Sequence, residues 1–164
     1  MDANPTIYER STVRWKAILF AGLLAGTLDI IGAAIVYQAK PTQVFKFIAS
    51  GAFGAGRAFS GGSDMVAWGI AFHYIIAFAW AIAFFFIYPL FPILSRNKYI
   101  TGSLYGVVIW VVMNKIIIPL SAIPPVPFNL RSAAIATLIL IVAVGLPIAI
   151  LTHRYYSRKG MGPS

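Results

Sequence analysis

Cysteine is absent from this chain, and acidic residues and histidines are scarce: four Asp or Glu and two His in 164 residues. Without cysteine there are no disulfides, no thiolate metal sites and no thiol catalysis, and the redox compartment goes unread. The few acids and histidines are scattered along the chain. They supply no paired carboxylates, no workable Ser-His-Asp set and no metal cluster, so the sequence argues against an enzyme and implies neither a cofactor nor a metal. Asp29 and His73 together would offer an ion only two ligands, too few for a metal site. Charge of either sign is sparse at 10% of residues, whereas 60% are hydrophobic and the mean hydropathy is +0.83. Ordinary soluble domains do not have this composition.

The thirteen Lys and Arg residues sit in short groups beside apolar runs, as topology signals do, rather than on a nucleic-acid-binding face. The expected partner is therefore a lipid bilayer and not a nucleic acid. Four runs are long enough to cross ~30 Å of hydrocarbon at ~1.5 Å per residue: Ala17 to Tyr37, Met65 to Tyr88, Tyr99 to Ile118 and Ser132 to Leu151. The predicted fold is an all-α polytopic membrane protein with one transmembrane domain over 17–151, an N-terminal arm over 1–16 and a basic tail over 152–164. The first run exceeds the length of a secretory h-region, contains Asp29 and lacks a small-residue cleavage site, so it reads as a retained span.

Arg10, Arg14, Lys16, Arg96, Lys98, Arg154, Arg158 and Lys159 fall on one side of such a bundle; Lys40, Lys46, Arg57 and Arg131 fall on the other, with Lys115 if it too lies outside. The positive-inside rule then places both termini in the cytoplasm. In the first external loop Val44, Phe45, Phe47, Ile48 and Ala52 share one face, which predicts a short amphipathic helix over about 42–53, lying in the membrane interface or capping the bundle. The glycine-rich stretch after it reads as a flexible connection, with Ser63 or Asp64 as N-cap of the second span. Pro119 to Pro127 reads as a stiff extended link. Arg154, Tyr155, Tyr156, Arg158 and Lys159 form a basic, aromatic tail suited to anchoring on anionic lipid.

In lipid, helices associate where small residues let backbones approach and where polar groups bond across helices. Gly22, Gly26, Asp29 and Ala33 share one face of the first span, Gly69, His73 and Ala77 one stripe of the second, and Gly102 with Gly106 mark the third. Asp29 therefore points towards another helix. A carboxylate at such depth costs roughly 2.5 to 3.5 kcal/mol of insertion, offset by the large apolar residues around it in the same span. Asp29 and His73 both lie about eight residues, or ~12 Å, below the external end of their spans, so they are expected to meet. Two readings stand: a static hydrogen bond joining two helices, or a proton-handling pair. Asn114 and Lys115 complete a candidate intramembrane polar cluster, Asn114 on the polar edge of the third span. Lys115 either snorkels to the headgroups or pairs with Asp29. Gly145 and Pro147 are expected to kink the fourth span.

The order of these features resembles the YagU family of four-span bacterial inner-membrane proteins: a glycine-rich first span, His73 opening a Phe-rich second span, a short basic turn, then Gly102 and Gly106 leading to Pro119 and Pro124-Pro125. The likeness covers mainly Phe72 to Pro125. It implies a bacterial inner-membrane location and a four-helix architecture, and brings no activity with it. The first expectation for function is a structural or accessory membrane protein that forms a homo-oligomer or joins a larger complex through its glycine-lined faces. The alternative is an oligomeric small-solute or proton transporter or channel using Asp29 and His73.

Overall fold

The computed structural model describes residues 7–125 and 127–158, with side chains from Arg14 onward. Arg10 as a charge and Lys159 as a lipid anchor lie outside the described side chains. Among the described residues every regular element is helical, and four helices are long and apolar enough to cross a membrane: Arg14–Val36, Ser63–Leu90, Lys98–Leu120 and Leu130–Arg158. They are, in chain order, the first to fourth spans. The first is the greater part of a helix over Ile7–Val36, so the N-terminal arm is helical from Ile7 onward. The fourth runs seven residues past the end expected from hydropathy, because Thr152 to Arg158 continue the helix. Two asparagines cap span starts: the Asn97 carboxamide accepts from the N–H of Tyr99 and Ile100 at 2.9 and 3.2 Å, and that of Asn129 from Ser132 at 3.0 Å. The second span, expected to be capped by Ser63 or Asp64, begins instead after Gly62 with no side-chain cap.

Between the first and second spans, Pro41–Phe53 forms a helix, referred to here as the loop helix. It is not followed by a flexible stretch. Gly54 takes a positive φ of 77°, which only glycine adopts without strain, and turns the chain into a second short helix, Ala55–Ser60. The Lys46 ammonium closes this helix by donating to the Gly61 carbonyl at 2.6 Å. The loop helix lies on the second span at Gly69, where a Cβ would come within 2.8 Å of the Phe45 Cα. It is also joined to the link after the third span: the Ala122 N–H donates to the Gly51 carbonyl at 2.8 Å.

The spans pack side by side in the order second, first, fourth, third. Glycines set the two outer seams. A Cβ on Gly22 would strike the Phe78 ring, and one on Gly26 would lie 3.0 Å from Tyr74 and 3.1 Å from Ala77. At the other seam a Cβ on Gly102 would lie 2.9 Å from the Leu146 Cα, and one on Gly106 2.6 Å from the Ile141 Cα, while Gly145 faces both glycines from the fourth span. Ala33 is half-buried. These small-residue faces are thus used within one chain.

The third and fourth spans each contain a π turn, at Met113–Ile117 and Leu140–Gly145. Each precedes a proline, Pro119 and Pro147, whose ring displaces the carbonyl four residues back and whose missing N–H leaves it without its usual donor. The helix widens for one turn instead: Ile118 donates to Met113 and Leu146 to Ile141. Where Gly145 and Pro147 are expected to kink the fourth span, the structure has this π turn.

The start of the first span and the close of the fourth lie at the same end of the bundle. There Trp15 and Arg14 meet Phe86, with the guanidinium 4.9 Å from the ring centre, and Tyr88 stacks on Tyr156 at 5.3 Å. This terminal end belongs to the core cluster of buried side chains. Phe85, Tyr88, Ile148 and Thr152 are all at most 1% exposed, and the second and third spans meet here, with the Tyr105 hydroxyl donating to the Trp80 carbonyl at 2.7 Å.

Candidate functional site

Toward the loop-helix end the second and third spans enclose a cavity of about 360 Å³. All four spans contribute to it. Gly26 and Asp29 come from the first, His73, Ile76 and Trp80 from the second, Ile109, Met113 and Ile117 from the third, and Leu140 and Val144 from the fourth. Phe47, Ile48 and Gly51 of the loop helix, with Ser121 and Ile123 of the link, form its roof. Two of the third- and fourth-span wall residues, Met113 and Leu140, open the π turns, so the widened helix turns border the cavity. Ile75, near the middle of the second span, lines the cavity and is 62% exposed. The mouth therefore reaches the side of the bundle at mid-span depth.

Asp29 and His73 do come together on this cavity, and each is electrostatically within reach of the other. They make no hydrogen bond and no ion pair with each other. His73 is buried, and its Nε2 lies 2.8 Å from the Gly26 carbonyl oxygen. A carbonyl only accepts, so Nε2 carries the hydrogen and donates, which fixes the neutral tautomer and leaves Nδ1 as the site of any added proton. The helix-joining bond expected between Asp29 and His73 thus runs from His73 to backbone one turn away from Asp29. Beside it the Thr27 and Tyr74 hydroxyls, 3.0 Å apart, join the same two helices. The Asp29 carboxylate is partly buried and accepts no hydrogen bond from any described residue.

Asn114 and Lys115 do not join this pair. The Asn114 amide donates to the Trp110 carbonyl of its own helix at 2.9 Å, and Lys115 is exposed with its ammonium 5.7 Å from the Phe128 ring centre. Of the two readings of Lys115, pairing with Asp29 is the one its position excludes. The face of the third span that reaches the cavity is Ile109, Met113 and Ile117, one stripe over. The tail also departs from expectation. Tyr156 is 6% exposed and donates to the Phe85 carbonyl at 2.9 Å, so it belongs to the bundle interior and not to a lipid anchor. Tyr155 packs against Phe85 at 5.8 Å, while Arg154 and Arg158 are exposed. His153 meets the Tyr88 hydroxyl through Nδ1 at 2.8 Å. Sequence reasoning missed Phe47, Met113 and Ser121 as wall residues; only the fourfold spacing of Met113 from Ile109 and Ile117 marks any of them.

No family model, curated protein or solved structure matches the chain.

Chemically the cavity is an apolar chamber with one acidic group. The Ser121 hydroxyl is committed to the Ile118 carbonyl at 2.7 Å and accepts from the Ile123 N–H, and the Gly51 carbonyl is taken by Ala122. Among the described residues no group of three or more His, Asp or Glu is placed to hold a metal ion. What the arrangement can do is bind a small apolar solute and meet it with a carboxylate and an imidazole.

Proposed function

We propose that this chain is a small multi-pass membrane protein that binds and moves a small solute through the Asp29–His73 cavity. The observation that carries this reading is the Asp29 carboxylate, without a hydrogen-bond partner among the described residues, on a cavity wide enough for an organic molecule. A carboxylate used only to join helices would be paired, since an unsatisfied polar group in hydrocarbon is costly. The accessory reading needs glycine faces free for a partner, and Gly22, Gly26, Gly102 and Gly106 instead face other spans of the same chain.

On this reading the termini face the cytoplasm, as the arginines and lysines flanking that end favour, and the loop helix lies at the outer interface. Kinship with the YagU family, and with it the bacterial inner membrane, is proposed on the motifs from His73 to Pro125. The test is uptake into proteoliposomes of a panel of labelled small amines, amino acids and carboxylates under an imposed pH gradient. The expected result is pH-dependent uptake that Asp29→Asn abolishes while the chain stays folded. A chain that takes up nothing, and that loses a stable complex on native gels when it carries Asp29→Asn, returns the accessory reading.

A further inference from the structure

We infer that the cavity is built for an apolar organic monocation, with Asp29 as its counter-charge. This rests on the proposed cavity function and names the class of solute. The chamber has a single uncommitted charged group among the described residues, the Asp29 carboxylate, because the hydroxyl of Ser121 and the backbone of Gly51 are already bonded and the His73 Nε2 hydrogen is given to Gly26. None of the described lysines and arginines lines it. Lys115 lies over Phe128, and the Lys46 ammonium is held by the Gly61 carbonyl, so an anionic solute would meet repulsion from Asp29 with no lysine or arginine to offset it.

Size and wall chemistry narrow the class. A volume of about 360 Å³ corresponds to roughly a dozen water volumes, far more than a proton or a bare metal ion requires. Hard cations take six or more oxygen ligands, and this chamber offers one carboxylate. The walls are Ile76, Ile109, Met113 and Val144 with the rings of Phe72 and Trp80, and aromatic faces attract an organic cation that has shed its water. The complement of such a site is a body of about a dozen heavy atoms with one positive charge and little else that hydrogen-bonds. The mouth at Ile75 gives such a solute a route from the bilayer, where apolar cations partition.

The test uses the whole chain in lipid nanodiscs and labelled benzyltrimethylammonium as the probe, with its uncharged isostere neopentylbenzene as competitor. Saturable binding is expected, with the isostere competing at least tenfold more weakly than the unlabelled cation. Asp29→Asn should weaken binding at least tenfold, whereas Asp64→Asn, at an exposed acid outside the chamber, should leave it unchanged. The comparison of cation with isostere uses the unmodified chain and so decides the matter even if the Asp29→Asn variant fails to fold. Equal competition by the isostere overturns the cation assignment and leaves an apolar-solute cavity standing. Absence of saturable binding of the labelled cation overturns the cation assignment, and if labelled neopentylbenzene also fails to bind saturably the cavity function falls with it; equal loss in Asp29→Asn and Asp64→Asn overturns the assignment by reducing the effect to surface charge.

Discussion

The two ends of the bundle are made of similar residues and solve opposite problems. At the terminal end, aromatic rings interlock and the Tyr105, Tyr156 and Tyr88 hydroxyls each have a partner, Trp80, Phe85 and His153. At the loop-helix end the same helices enclose a chamber, and a carboxylate faces it without a hydrogen bond from any described residue. The difference begins in the backbone. Gly102, Gly106 and Gly145 draw the third span onto the fourth, whereas the loop helix is seated on the second span at Gly69 and tied to the link after the third by the bond from Ala122 to Gly51. Polar groups at the first end bond across helices; at the second, the Asp29 carboxylate faces the chamber without such a bond from any described residue.

That contrast predicts a series of effects on stability, measured by thermal unfolding in one detergent. Phe85→Ala should be the most damaging, about 3–5 kcal/mol, because it empties the best-packed position of the terminal end; a loss below about 1 kcal/mol would show that this end is loosely packed. Gly145→Val should follow at about 1–3 kcal/mol, since the new side chain meets the backbone of Gly102 and Gly106. Tyr156→Phe removes the bond to Phe85 and should lower stability by about 0.6–1.7 kcal/mol, the range for single bonds between membrane helices. His73→Phe is expected to cost a similar amount through loss of the Gly26 contact. Asp29→Asn should have the smallest effect and the opposite sign, leaving the midpoint unchanged or slightly raised. A clear loss of stability in that variant would mean Asp29 holds the helices together after all, and the contrast between the ends would collapse.

The spans were legible as unbroken apolar runs because hydrocarbon demands length and little else. The helix of the fourth span runs on beyond its apolar run because Thr152 to Arg158 look interfacial by composition but bury Thr152 and Tyr156 against neighbouring helices. Glycine spacing marked the contact faces correctly, yet spacing alone does not say whether the partner is another copy or the next helix of the same chain. Depth counting brought Asp29 and His73 to one level. It could not reveal that His73 would choose the Gly26 carbonyl, because backbone acceptors are identical in every sequence. Asn114 and Lys115 misled because their polarity drew attention to them, while the third span walls the chamber with the apolar stripe of Ile109, Met113 and Ile117.

On the proposed function, the hydrogen bond from Ala122 to Gly51 has a consequence for traffic. With Phe45 seated on Gly69 at one point and Gly51 tied to Ala122 at another, the loop helix is bolted like a crossbar rather than hinged like a door. A solute heading for Asp29 from the water above would have to break that tie, whereas one already dissolved among the lipid tails would meet an open flank at Ile75. The membrane itself would then be the reservoir from which this protein draws, and the concentration that governs occupancy would be the one in the bilayer.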